Sequence, residues 1–426
     1  MELVETKKTI DKYPVYKHSG IKWLGDIPEK WELTRLGTRF NERRTKVSDK
    51  DFPPLSVTKN GTVPQLANAA KTNDGDNRKL VKLGDFVINS RSDRKGSSGI
   101  AFQDGSVSLI NIVIQPIDIN PTFCNYLLKS YNFIEEFYRM GHGIVADLWT
   151  TRYDEMKTIM VGIPSEIEQT AIANFLDEKT AKIDKAIAQK EKLIALLKER
   201  KQIIIQNAVT KGLDPNVKLK DSGVEWIGEI PEHWEVKKLK FLLNEYNVRS
   251  KTGLEELLSL SKYKGVIPKS SLEERAGGAE SLIGYKIVKS KMLVINKMQA
   301  VNGLLAVSNI NGITSPDYSV YYSKHDNLLN INFVELLLHQ VEYLAEFKRR
   351  VTGVMEGFIR LYTDDLFDIS IHLPPHEEQL LIVRNINNLI TKIDNTIALE
   401  QKQINKLKEY KATLIDSAVT GKIKVC

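Results

Sequence analysis

The sequence predicts an α+β protein built twice. Two similar α+β domains are separated by two long helices that form an antiparallel intramolecular coiled coil, with a pseudo-twofold relation between the copies. Three observations carry this. The segment SGIKWLGDIPEKWELTRL at residues 19–36 returns as SGVEWIGEIPEHWEVKKL at 222–239, with ten of eighteen positions identical at an offset of 203. Composition alone gives about one match over such a length. Further matches keep the copies in step: VTKNGTVP (57–64) with SKYKGVIP (261–268), FVINS (86–90) with LVINK (293–297), and IPSEIEQ (163–169) with LPPHEEQ (373–379). The offset drifts only from 203 to 210, so few net insertions separate the copies. Finally, each copy closes on a long stretch free of glycine and proline, from Ser165 to Gly212 and from Pro375 to Gly421. A period of about 200 residues means duplicated domains, because solenoids repeat every ~20–50 residues.

Size and composition set the outer bounds. A chain of 426 residues exceeds one ordinary core and points to at least two domains. With 42% hydrophobic and 27% charged residues it reads as globular. No uncharged apolar run reaches the ~18 residues of a membrane span. The start MELVETKKTIDKYPVYKHSG lacks the apolar core of a signal peptide. Two cysteines, Cys124 and Cys426, lie far apart in no ligand spacing, which suits a reducing cytoplasm. A formal charge of +7 and a pI near 9.0 permit a polyanionic partner without requiring one.

The first part of each copy mixes short β-type runs with turn clusters. DFVINS, VSLINIVIQP, MLVINK and DYSVYYS gather β-branched and aromatic residues between the breakers NDGDN, DRKGSSG, NING and RAGG. Short helices are predicted at TFCNYLLKSYNFIEEFYRM and INFVELLLHQVEYLAEFKRR, where apolar residues recur every three or four positions. The division is 1–162 for the first α+β domain, 163–212 for its helix, 213–372 for the second domain and 373–426 for the second helix.

On a heptad, the first helix places Thr180, Ile187, Ile194, Lys201 and Ala208 at a, and Leu176, Ile183, Lys190, Leu197 and Ile204 at d. The second places Ile390, Ile397, Ile404, Lys411 and Ala418 at a, and Ile386, Ile393, Glu400, Leu407 and Leu414 at d. Two such stripes in one chain imply a coiled coil. Lys190 and Glu400 interrupt equivalent d positions with opposite charges. Antiparallel pairing is expected to bring them within about one layer, whereas independent side chains would snorkel outward. About 45 helical residues make a rod of roughly 65 Å, with a domain expected at each end. Such a rod suits two contacts on one face of a duplex whose major groove returns every ~34 Å.

These motifs define a resemblance. The W-x-G-x-I-P-x-x-W segment, the [IL]-P-x-x-x-E-Q start of a long helix and its AVTG/K ending resemble the specificity subunit of type I restriction–modification systems, over nearly the whole chain and twice. The first copy departs from the family pattern in reading IPSEIEQ without a second proline. The resemblance implies two target recognition domains, each reading half of a bipartite, asymmetric double-stranded DNA site. It implies helices that space these domains and dock two methyltransferase (modification) subunits, joined by restriction (translocase–nuclease) subunits. Adenine-N6 methylation with S-adenosylmethionine, and DNA cleavage with ATP and Mg, would then belong to the partner subunits.

The residues themselves support a non-catalytic chain without cofactor or metal. VTGKIKVC lacks the preceding glycine and following hydroxyl of a phosphate loop. No Asn/Asp-Pro-Pro-Tyr/Phe element is present, and Pro316-Asp317 has no acidic-x-Lys partner. Glu168 and Glu378 read as charges at a helix start. The seven histidines, His142 and His376 among them, show no ligand spacing. The repeated tryptophans read as packing anchors.

Reading bases requires Arg or Lys for guanine, Asn or Gln for adenine, and cations for phosphates. The first domain offers Lys59 and Asn60 before Gly61, Arg78 after NDGDN, and Arg91, Arg94 and Lys95 in RSDRKG. The second offers Lys262, Tyr263 and Lys264, then Lys297, Gln299 and Asn302 in NKMQAVNG. Corresponding places carry different side chains, as two readers of different half-sites should. The competing reading is a coiled-coil protein-interaction scaffold that reads no DNA.

Overall fold

The computed structural model describes residues 11–67, 75–143, 149–262, 264–272, 281–353 and 359–425. The chain divides into two compact units, Met1–Glu191 with Glu400–Cys426, and Lys192–Leu399. Each unit thus joins one α+β domain to part of both long helices.

The domain of the first unit centres on a four-stranded antiparallel sheet ordered Ser98–Ile100, Phe86–Asn89, Asn111–Pro116, Phe40–Glu42. The second unit repeats that order with Leu305–Val307, Leu293–Asn296, Tyr318–Ser323 and Leu243–Glu245. A hairpin, Leu55–Thr58 with Gly61–Pro64, recurs as Leu258–Ser261 with Gly265–Pro268. The strand Phe86–Asn89 is buried at all four positions, and so is Leu293–Asn296. A strand with neighbours on both edges and cover on both faces is apolar at successive positions rather than alternating, as the first three residues of each strand are.

Helices α1 (Pro121–Lys129) and α2 (Tyr131–Arg139) follow the sheet, then the short α3 (Tyr153–Met156) and the long α4 (Glu166–Lys211). The second copy gives α5 (Ile331–Leu338), α6 (Val341–Arg350), α7 (Thr363–Phe367) and the long α8 (His376–Val419). Asn120 and Asn330 cap α1 and α5, each accepting hydrogen bonds from two backbone amides with its side-chain oxygen. Such a cap is worth ~1 kcal/mol.

The two sequence motifs meet as one lock. Trp31 and Trp234 are buried, and each donates its indole N–H over 3.1 Å, to Glu168 and to Glu378. The following glutamines, also buried, accept from the amides of Asn120 and Asn330 at 2.8 Å and donate to the carbonyls of Pro164 and Pro374. A tryptophan on one segment and a Glu-Gln pair at the helix start thus fix the domain to its helix. The tryptophans are packing anchors, and Glu168 and Glu378 do more than sit at a helix start. The motif glycines Gly25 and Gly228 have φ of 62° and 74°, a region that only glycine occupies freely.

Every predicted a and d residue of both long helices is buried or half-buried. Within the first unit, Asp184 pairs with Lys411 at 2.7 Å, and Lys190 pairs with Glu400 at 2.8 Å while also donating to Gln403. Ascending numbers on α4 meet descending numbers on α8, so the two run antiparallel. Within the second unit Lys201 pairs with Asp394 at 2.8 Å in the same sense. The expected Lys190–Glu400 pair is formed, with side chains only 26% and 14% exposed.

Candidate nucleic-acid interface

The exposed polar groups cluster at two repeated places on each domain. The first is the hairpin turn. Lys59 and Asn60 are exposed there, and the Asn60 amide donates to Thr58 Oγ1 at 3.1 Å. Gly61 follows with a φ of 112°, and an added Cβ on Gly99 would lie 2.7 Å from Gly61 Cα, so the turn presses on the sheet. In the second copy Lys262 and Lys264 are exposed on the equivalent turn. Tyr263 lies outside the described residues.

The second place follows the central strand. Arg91 and Arg94 are exposed just beyond Phe86–Asn89, and Arg94 lies 3.5 Å from Asp93. Lys95 is half-buried and pairs with Glu135 at 2.6 Å. Beyond Leu293–Asn296 come Lys297, half-buried, and Gln299 and Asn302, exposed, with the Asn302 amide donating to Gln299 Oε1 at 2.7 Å. Burial, and then Lys286, holds the Lys297 ammonium below the usual lysine range.

Arg78 belongs to neither cluster, and the structure corrects its reading as a loop cation. It is 5% exposed, in the strand Arg78–Val81, and its guanidinium donates to Ser106 Oγ at 2.8 Å and to the Ser106 carbonyl at 3.1 Å. No side chain so enclosed reaches a groove. Its role is to join two strands.

Behind the second cluster lies a pair that sequence reading missed. Lys79 stands 3.7 Å from Glu42, and Lys286 stands 3.0 Å from Glu245, at corresponding positions of the two copies. Burial lowers the Lys79 pKa, with Glu42 acting in the opposite sense. Lys286 is almost fully enclosed, and Glu245 also accepts from Thr363 at 2.8 Å. In the first copy Glu42, Arg44, Lys79, Arg91 and Tyr153 line a cavity of about 400 Å³. The signal was present as Glu42/Glu245 and Lys79/Lys286, identical pairs in step with the repeat. Among the described residues no group of three or more His, Cys, Asp or Glu is placed to hold a metal ion, and no helix is long and apolar enough to cross a membrane.

A duplicated α+β fold carrying polar loops on equivalent strands defines a class of proteins with two similar domains and two long helices. Residues 231–409 match the family described as type I restriction modification DNA specificity domain. The chain is 23% identical over 439 residues to the type I restriction enzyme MjaVIII specificity subunit of Methanocaldococcus jannaschii, covering 96% of this chain and 97% of that one. A second specificity subunit from that organism, assigned to the MjaX system, is 23% identical over 454 residues, covering 96% and 98%. Among solved structures, a chain from a study of complex assembly and conformational transition in the type I R-M system superposes with a TM-score of 0.68 at 13% identity, covering 92% of this chain and 98% of that one. The HsdS subunit from Thermoanaerobacter tengcongensis superposes with a TM-score of 0.54 at 14% identity, covering 93% and 98%. Over residues 231–409 the chain is thus similar to the type I specificity-domain family, and along nearly its whole length it is similar to specificity subunits of type I restriction enzymes.

Proposed function

We propose that the chain is the DNA-reading, non-catalytic subunit of such a system. Each α+β domain reads one half of a bipartite, asymmetric double-stranded site, and the long helices dock methyltransferase subunits to which translocase–nuclease subunits are joined. S-adenosylmethionine, ATP and Mg serve those partners, and the complex works in the cytoplasm. The observation that carries this reading is the pairing of equal scaffold with unequal loops. The strands Phe86–Asn89 and Leu293–Asn296 hold the same place in equivalent sheets, yet Arg91, Arg94 and Lys95 follow one and Lys297, Gln299 and Asn302 follow the other.

In this reading the hairpin lysines, Lys59, Lys262 and Lys264, with Tyr263 between the last two, contact backbone phosphates or base edges beside Asn60. Arg91 and Lys297 are the first candidates for reading bases. Replacing either with Ala in the assembled complex should cost about 1–3 kcal/mol and alter preference at one position of one half-site. A uniform loss over all sequences would reduce that residue to a phosphate contact. Unchanged binding by every single replacement in both clusters would favour the scaffold reading.

A further inference from the structure

Corresponding positions on α4 and α8 differ by 210, so the cross-helix ion pairs fall into two kinds. Asp184 corresponds to Asp394, and Lys201 to Lys411. The pairs Asp184–Lys411 and Lys201–Asp394 therefore exchange into one another when the copies are exchanged. They are indifferent to which copy supplies which helix, because two α4 helices would still pair Asp184 with Lys201. Lys190 and Glu400 behave otherwise, since they correspond to each other and yet pair with each other. Put α4 against a second α4 and Lys190 meets Lys190, while its other acceptor, Gln403, is replaced by Leu193. Put α8 against a second α8 and Glu400 meets Glu400. These side chains are 26% and 14% exposed, so solvent screens such repulsion less than it does at an open surface.

A second, separate contact distinguishes the copies on one side only. In the second unit Gln206 of α4 donates to Glu342 Oε1 on α6 at 3.2 Å. At the corresponding place in the first unit Asp416 of α8 accepts from the Asn132 amide at 3.2 Å. Burial raises the Asp416 pKa, so this carboxylate is already disfavoured where it sits. If the second copy paired with another second copy, Asp416 would replace Gln206 beside Glu342 and bring two carboxylates together. The first copy pairing with itself would place Gln206 beside Asn132, with no such conflict.

We infer that these polar contacts select the pairing of the first copy with the second and reject pairing of like copies. The helix surface of each half is matched to its opposite half, and a second copy of the same half is the partner it excludes. The Lys190–Glu400 pair acts against both like-with-like products, and Asp416 acts against that of the second copy alone. This goes beyond DNA reading and does not depend on it.

The test begins with the intact chain. A specific protease site is placed in the exposed connection at residues 213–218, and the folded protein is cut there and incubated. Native mass spectrometry then counts mixed and like-with-like assemblies of the two halves. The unaltered chain and the charge swap K190E/E400K should remain almost entirely mixed. K190E alone or E400K alone should raise the like-with-like fraction at least tenfold, because all pairings then carry like charges at this site. K190M/E400L, which fills the layer with apolar side chains, should stay folded and lose the preference equally. E342Q should raise only the product containing two second copies. A like-with-like fraction in K190M/E400L equal to that of the unaltered chain, or a charge swap that fails to restore the mixed pairing, would overturn the inference.

Discussion

Glu335 on α5 gives a test of the packing account that reads one unit alone. Burial lifts its carboxyl from an ordinary 4.5 to about 7, against the opposing pull of a hydrogen bond from the Val307 amide. The first copy places Asn125 at the corresponding position, accepting from the Ile100 amide at 3.3 Å. A neutral amide therefore fits this site, and Glu335→Gln should preserve the contact. A raised folded pKa means that the folded state holds its proton more tightly than the unfolded one. The resulting stability is complete below about pH 4.5 and is lost as pH rises through about 7. At 1.36 kcal/mol per pKa unit, the loss reaches up to about 3 kcal/mol by pH 8, an upper limit because the side chain is only partly buried. Glu335→Gln should therefore match the unaltered chain near pH 4 and exceed it increasingly toward pH 8. His372 in the same unit slopes the other way. Burial holds its imidazole down at about 4, so its contribution is complete above pH 6.5 and is lost as pH falls toward 4. The two slopes offset each other in the unaltered chain, and Glu335→Gln should expose that of His372. Urea unfolding followed by hydrogen exchange in peptides spanning 293–347 reads this unit separately. A stability difference between variant and unaltered chain that does not vary from pH 4 to pH 8 would refute the reasoning.

Two further expectations concern positions outside the exposed polar loops. Arg78→Met should cost about 1–3 kcal/mol by removing the guanidinium's hydrogen bonds to the Ser106 hydroxyl and carbonyl, and should leave sequence preference unchanged, as denaturant midpoints and a binding-site selection would show. Gly105→Ala and Gly312→Ala should each destabilise their own unit by about 1–3 kcal/mol or more in thermal unfolding, because the new Cβ would lie 2.6 Å from the Pro53 carbonyl oxygen and 2.3 Å from that of Glu256.

The duplication and the coiled coil were legible because both rest on periodicity. A repeated eighteen-residue segment and five heptads of apolar a and d positions survive divergence of everything between them. Even the pairing of Lys190 with Glu400 followed from antiparallel register. What periodicity does not reveal is which partner a polar side chain finds across the fold. Arg78 follows a turn-rich run and looks like a loop cation, but it begins a strand and is enclosed by Ser106. Glu168 and Glu378 occur where a helix-start charge is expected, and only the fold brings Trp31 and Trp234 against them. The Glu42–Lys79 and Glu245–Lys286 pairs join residues tens of positions apart, so no local pattern announces them. Gly162 and His372 occupy corresponding positions, yet His372 stacks on Trp234 at 5.5 Å while a Cβ on Gly162 would meet Trp31 at 3.2 Å. Each anchor has its own packing solution, and alignment of the copies alone would not distinguish them.

The central claim is that each domain reads its own half of a DNA site. The most direct measurement is to replace residues 222–372 with the corresponding region of a type I specificity subunit, express the hybrid with the proposed methyltransferase partners, and map methylated bases across the host genome by long-read sequencing. The account predicts a hybrid site in which one half changes to that of the donor and the other half stays as it was. A hybrid that assembles with its partners and methylates DNA at a site containing neither parental half would contradict it.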